Sequence, residues 1–317
     1  MSVNELVDFL NKVDLKSLNA SLNELEDTTH KIFLRTGSEL DEVFVHETRS
    51  ESAEFLIWFS FLRSNFLRGK DIISNKAFKQ FIDFCVRSKN GYYFQGFPKG
   101  CDLLPRFNKP KFRNALAVEE VLGQLREKYA SGNEYVAKIR KIVENYEIEE
   151  SHRLYLALIS EFMELKHIAR KIANAIVGEV SYQMRLLKEY GEQERFNALS
   201  RETYIRSLMF ASCFNVMIDT HVRNFFEKHH VKNVEQSVLL LLARDMKPEV
   251  VELLFKRSYS WLNESDRSFV LGKYHDYVGA NMLEKIIWEA GFVRKNSSKD
   301  EQIGDLAFYK LSGDIFS

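Results

Sequence analysis

Residues 151–189 read SHRLYLALISEFMELKHIARKIANAIVGEVSYQMRLLKE. Apolar residues recur at helical spacing over 151–163 and again over 170–189, with a short break between the two segments. The pattern predicts two helices, near 151–166 and 170–189, that are joined by a tight hairpin.

The same periodicity continues on both sides of the hairpin. Further helices are predicted at 115–130, 133–146, 201–214, 220–230, 234–243, 247–262 and 266–290. Residues 3–27 indicate one or two amphipathic helices, and the nearly uniform apolar character of residues 52–69 indicates a buried helix. Only four prolines and fourteen glycines interrupt 317 residues, which argues against a sandwich or a barrel. The sequence therefore predicts an all-α protein.

Residues 90–114 interrupt the helical pattern and contain three of the four prolines. Residues 86–115 carry seven Lys or Arg against one Asp, a net charge of +6, and aromatic residues interleave with the cations. This composition suits contact with a nucleic acid, and a structural junction is the alternative. The pattern divides the chain into an N-terminal helical region, 1–90, a basic aromatic loop or junction, 91–114, a helical core, 115–232, and C-terminal helices that pack on the core, 233–317.

Composition also excludes several classes of protein. No run of about 18 apolar residues is present, so no membrane span is predicted. The first ten residues lack the cationic start of a signal peptide. Cys85, Cys101 and Cys213 lie far apart and form no CxxC pair, which excludes a zinc ribbon or a four-cysteine iron–sulfur cluster within the chain. We therefore expect an intracellular protein that uses no metal and no cofactor.

Residues 162–173 read FMELKHIARKIA, and residues 216–226 read VMIDTHVRNFF. Together they resemble the helix-hairpin-helix superfamily of DNA glycosylases, whose hairpin, L-P-G-V-G-x-K-x-A, is followed later in the chain by V-D-x-H-V-x-R. The resemblance covers roughly residues 115–232, and IDTHVRN is its most specific part. It implies a helix-hairpin-helix glycosylase-like bundle with additional N-terminal helices. Because no cysteine cluster is present, the chain is most similar in type to the cluster-free 8-oxoguanine branch.

The resemblance implies base-excision repair, in which a damaged base, such as an oxidised purine, is removed from double-stranded DNA. Such an enzyme first flips the nucleotide out of the duplex. By resemblance, Lys171 would be the nucleophile that forms a Schiff base with the sugar, and Asp219 would be the essential acid. We expect Lys171 at the start of the second hairpin helix, where partial burial would favour its neutral amine. We expect Asp219 to be the N-cap of the next helix.

The hairpin departs from the family pattern at three positions. His167 and Ala169 occupy the two glycine positions, and Lys166 replaces the proline. Because glycine permits unusual backbone angles and close approach of amides to phosphate, we expect side chains to bind phosphate here instead. The expected DNA-binding residues are Lys166, His167, Arg170, His221, Arg223, Lys109, Lys111 and Arg113.

Three functions are compatible with this pattern. The first is a glycosylase with AP lyase activity, which acts through the lysine Schiff base. The second is a monofunctional glycosylase, in which Asp219 activates water and Lys171 is incidental. The third is a non-catalytic helical DNA-binding or protein-interaction module on a decayed glycosylase fold. We expect a monomer in the cytoplasm, associated with the nucleoid, or in the nucleus, and we expect Lys171 and Asp219 to meet at one cleft.

Overall fold

The structure is a computed structural model that describes residues 3–34, 39–66, 75–91, 113–228, 231 and 234–296. These residues form α-helices and one short 3-10 helix, without a strand, so the predicted all-α class is confirmed. The α-helices are α1 (Val3–Lys12), α2 (Leu15–Leu34), α3 (Glu39–Thr48), α4 (Ala53–Phe66), α5 (Asn75–Lys89), α6 (Arg113–Lys128), α7 (Gly132–Glu144), α8 (Ser151–Met163), α9 (Arg170–Tyr190), α10 (Gln193–Arg201), α11 (Thr203–Ser212), α12 (Thr220–Lys228), α13 (Gln236–Arg244), α14 (Pro248–Ser258) and α15 (Glu264–Asn296). None of the described helices combines the length and the apolar character needed to cross a membrane.

Contacts divide the chain into two compact units. The central unit is Thr36–Asn215 and contains α3 to α11. The terminal unit joins Met1–Arg35 to Val216–Ser317 and contains α1, α2 and α12 to α15. The finer division into four regions that we inferred from the sequence stays a prediction.

In the central unit, α4 is buried on nearly all sides, as its composition predicts. Phe55, Trp58, Phe59 and Leu62 are all completely buried. The Trp58 indole N–H donates to the carbonyl oxygen of Cys85 at 2.9 Å, which satisfies the one polar group of this side chain. The helix α4 therefore forms the centre against which α5, α7 and α9 pack.

A polar cluster lies between α3, α4 and α9 in the same unit. Arg63 donates to Glu179 at 2.9 Å, and the Tyr182 hydroxyl donates to Asp41 at 2.7 Å. Burial raises the pKa of both carboxyl groups, and the charge of Arg63 opposes that rise. Each polar group has a partner within the cluster, so the cluster fixes how the three helices pack.

In the terminal unit, α15 is the longest helix, and α2, α12, α13 and α14 pack against it. Its backbone leaves the helical region at Tyr274, where φ is −133° and ψ is 34°, so α15 is kinked there. The N-terminal helices are tied to this unit by polar contacts as well. Arg257 of α14 donates to Asn19 at 2.9 Å and to Glu26 at 2.7 Å, both on α2.

Candidate nucleic-acid interface and carboxylate site

The predicted hairpin is confirmed: residues 164–169 connect α8 to α9. Leu165 and Ile168 are buried under the turn, and the Ile168 N–H donates to the Leu165 oxygen at 3.1 Å. Between them, His167 has a φ of +70°, the only positive φ of a non-glycine residue in the described part of the chain. This left-handed conformation falls on a position where the glycosylase family has glycine. Histidine adopts it more readily than most residues that carry a side chain.

The second glycine position needs no special residue. Ala169 has a φ of −79° and a ψ of 166°, an ordinary extended conformation, so alanine is accommodated without strain. It is the N-cap of α9, and its oxygen accepts from Ile172 at 2.8 Å and from Ala173 at 3.1 Å. No side chain caps this helix start. Because residues 169–171 are exposed, the positive end of the α9 dipole faces solvent.

Two side chains of α6 contact the hairpin. The Lys166 backbone N–H donates to Oε1 of Gln124 at 2.8 Å. Glu120 forms a hydrogen bond with Nε2 of the His167 ring and lies 3.6 Å from Nζ of Lys166. The hydrogen bond from His167 is the main reason why the pKa of Glu120 is lowered, with the charges of Lys166 and His167 adding to it. An anion that binds the hairpin through Lys166 and His167 must therefore compete with Glu120.

Lys171 is the second residue of α9, so its predicted place at the helix start is confirmed. Its side chain is exposed, as is that of Arg170. The expectation of partial burial is therefore wrong, because this face of the first helical turn of α9 points to solvent rather than into the packed side of the hairpin. Lys171 belongs to the central unit and Asp219 to the terminal unit, and their approach at one cleft stays a prediction.

Asp219 caps the N-terminus of α12, as predicted. Its Oδ1 accepts from the backbone N–H of His221 at 2.7 Å and of Val222 at 3.1 Å. Its Oδ2 accepts from the indole Nε1–H of Trp288 at 2.9 Å. Three donors therefore hold the two oxygens of one half-buried carboxylate, which is the arrangement that stabilises its negative charge.

A second carboxyl group lies close to Asp219. Glu284 of α15 is 6% exposed, and the backbone of Met217 lies beside its carboxyl group. Burial raises the pKa of Glu284 to about 8, and the charge of Asp219 adds to the rise. Near neutral pH Glu284 therefore retains its proton, and a buried carboxyl group with a strongly raised pKa often marks a functional site.

Glu284 and Trp288 were not predicted from the sequence, and they are separated from Asp219 by more than 60 residues. The two residues are four positions apart on α15, a spacing that places them on the same face of the helix. The only signal in the sequence is an acid within the apolar stretch MLEKIIW, residues 282–288, and such a pattern is common on amphipathic helices.

The remaining predicted DNA-binding residues differ in their surroundings. Arg223 is exposed on α12, whereas the His221 ring packs edge-on against Trp288 with ring centroids 6.1 Å apart. Lys109 and Lys111 lie outside the described residues. Arg113 is the first residue of α6, but its side chain is not described. In the described ranges, no three His, Cys, Asp or Glu side chains are grouped so as to hold a metal ion.

The chain was compared with protein-family models, with curated proteins and with solved structures. None of the three comparisons finds a match.

Proposed function

We propose that this chain is a DNA base-excision glycosylase with associated AP lyase activity, which acts on double-stranded DNA that contains a damaged base. The supporting observation is that two local conformations occur where the family pattern requires them. His167 in the hairpin has a left-handed backbone conformation, and Asp219 caps the N-terminus of α12. Each conformation falls on a position that the sequence resemblance selected independently.

The chemistry follows from the two side chains. In the flipped nucleotide, the bond between C1′ and the base nitrogen breaks, and the base leaves with the bonding electron pair and takes up a proton. The Asp219 carboxylate stabilises the positive charge that develops on the sugar. The Lys171 amine attacks C1′, and the C1′–O4′ bond then opens with transfer of one amine proton to O4′, which leaves a protonated Schiff base. Loss of a proton from C2′ with departure of the 3′ phosphate cleaves the strand. Lys171 is exposed in the free protein, so bound DNA must remove water from its amine for this step.

The test is borohydride trapping on a panel of duplexes, each with one damaged base. We expect wild-type protein to form a covalent adduct and Lys171→Gln to form none, while duplex binding is retained, because glutamine keeps size and polarity without nucleophilicity. Lys188→Gln, a change of another exposed lysine of α9, is the control and should trap like wild type. An adduct that persists in Lys171→Gln would place the nucleophile elsewhere.

Asp219→Asn is expected to lower base release by a factor of about 100 or more, because it removes the charge that stabilises the sugar cation. Asparagine is an equally good N-cap, so the helical content should be unchanged, which circular dichroism checks. Base release by the wild-type protein without a trapped adduct would indicate the monofunctional enzyme. Base release by Asp219→Asn at the wild-type rate would remove Asp219 from the reaction.

A non-catalytic DNA-binding module is the second candidate, and the hairpin supplies the observation that favours it. Lys171 is exposed at the start of α9, whereas a lysine nucleophile is expected to be partly buried. A protein that binds duplex DNA in a salt-dependent manner but releases no base from any duplex of the panel would be this module.

A further inference from the structure

Helix α15 presents two side chains, one turn apart, to the three residues that lead into α12. Trp288 donates its indole N–H to Oδ2 of Asp219 at 2.9 Å. The Met217 backbone lies beside the Glu284 carboxyl group, and the Met217 oxygen accepts the backbone N–H of Asp219 at 3.0 Å. The segment Met217–Asp219 is therefore bound to α15 through the side-chain carboxylate of Asp219.

The hydrogen bond from Trp288 orients the Asp219 carboxylate more fully than the N-cap hydrogen bonds alone. The two amides of α12 both bind Oδ1, so by themselves they fix one oxygen and leave Oδ2 without a directional partner. The indole N–H binds Oδ2 from a different helix, and a carboxylate held at both oxygens from two elements cannot rotate about its Cβ–Cγ bond without losing a charge-assisted hydrogen bond. Its orientation is thus set by the packing of α15 on α12.

This packing depends on a close approach of the two helices. Gly291 of α15 faces His221 of α12, and a Cβ at position 291 would lie 3.0 Å from the His221 Cβ. The His221 ring in turn meets the Trp288 ring edge-on. Glycine at this position therefore lets α15 come near enough for the indole of Trp288 to reach Asp219.

We propose that Trp288 is the positioning residue for the Asp219 carboxylate. The inference rests on the proposed glycosylase function, since it concerns the carboxylate assigned to the reaction. Trp288 itself touches no reacting atom. It acts by holding Asp219 in one orientation, which a reaction at the sugar requires.

The experiment uses the full chain with Trp288→Phe, which keeps an aromatic ring and removes the indole donor. Trp261→Phe is the matched control, because Trp261 is the other tryptophan of the terminal unit and has no contact with Asp219 among those observed. We expect amide hydrogen exchange at His221 and Val222 to become about tenfold faster in Trp288→Phe, because a carboxylate that rotates caps these amides less of the time. In Trp261→Phe the exchange of these two amides should be unchanged.

On a damaged duplex that wild-type protein cleaves, Trp288→Phe should lower kcat about tenfold and leave KM and duplex affinity unchanged. If exchange at His221 and Val222 and kcat both stay at their wild-type values while the wild type releases base, the positioning role is overturned and the proposed function stands. If the wild type releases no base from any duplex, the proposed function fails, and the reaction for which Trp288 would position Asp219 fails with it.

A second measurement does not depend on how Trp288→Phe folds. The chain has three tryptophans, so their indole N–H resonances can be distinguished by NMR. Asp219→Asn should shift the Trp288 resonance, because asparagine cannot offer a charged oxygen, and should leave the Trp58 and Trp261 resonances in place. A Trp288 resonance that does not respond to Asp219→Asn overturns the inference.

Discussion

The Glu284 carboxyl illustrates at the residue scale how packing changes the chemistry of a side chain. Burial raises its pKa to about 8 from an ordinary value of 4.5, with the charge of Lys285 opposing the rise. Between these two values the folded protein holds a proton that the unfolded chain releases. The free energy of unfolding should therefore fall as pH rises from about 4.5 to about 8 and level off above, by an amount on the order of 5 kcal/mol from this group.

Urea unfolding at several pH values in this range tests this expectation. Glu284→Gln cannot ionise, so the variant should lose less stability than the wild type as pH rises. Glu252→Gln changes an exposed carboxyl of α14 and should keep the wild-type pH dependence. Parallel curves for wild type and Glu284→Gln would mean that Glu284 is already ionised at neutral pH.

At the element scale, two glycines of α15 differ in whether another helix packs closely against them. A Cβ at Gly272 would meet nothing within 4 Å, whereas a Cβ at Gly279 would lie 3.0 Å from the Cβ of Ala243 on α13. We expect Gly272→Ala to raise the free energy of unfolding by about 0.5–1 kcal/mol, because alanine loses less backbone entropy in a helix. Gly279→Ala should lower it by about 1 kcal/mol or more, because the added methyl group pushes α13 away from α15.

Chemical denaturation of the two variants under one condition gives the comparison, and each serves as the control of the other. Equal stabilisation by both changes would mean that a methyl group at position 279 fits between α13 and α15. Equal destabilisation would instead mean that the backbone near the kink at Tyr274 does not tolerate alanine at position 272.

At the scale of the whole molecule, the two units differ in how the chain builds them. The central unit is one continuous segment, whereas the terminal unit needs both ends of the sequence. The Asn11 side chain donates to the backbone oxygen of Asp245 at 2.6 Å and accepts from the backbone N–H of Lys247 at 2.8 Å. In addition, α2 packs on α14 and α15. We expect residues 36–215 to fold alone with a cooperative urea transition. Residues 216–317 should lack such a transition, because without 1–35 the buried face of α15 is exposed.

Far-UV circular dichroism during urea titration of the two fragments provides the measurement. A peptide of residues 1–35 added to fragment 216–317 should restore helicity and cooperativity, and a peptide of the same composition in scrambled order should not. A cooperative transition in 216–317 without the peptide would show that the N-terminal helices are dispensable for this unit.

The sequence by itself determined the all-α class, the hairpin between α8 and α9, the buried character of α4 and the N-cap at Asp219. Each depends on residues within a few positions of one another, because helical periodicity and capping are local properties. The one left-handed residue of the hairpin, His167, also lies at a position where the hairpin pattern L-P-G-V-G-x-K-x-A has glycine.

Only the tertiary structure decided which distant groups surround the candidate site. The partners of Asp219 and of the hairpin, namely Trp288, Glu284 and Glu120, come from other helices, and the exposure of Lys171 depends on the face that α9 turns to solvent. The union of residues 1–35 with 216–317 likewise arises from packing between helices at opposite ends of the chain. Burial and hydrogen bonding between distant segments depend on how apolar faces pack together, and many pairings of amphipathic helices satisfy the same local pattern.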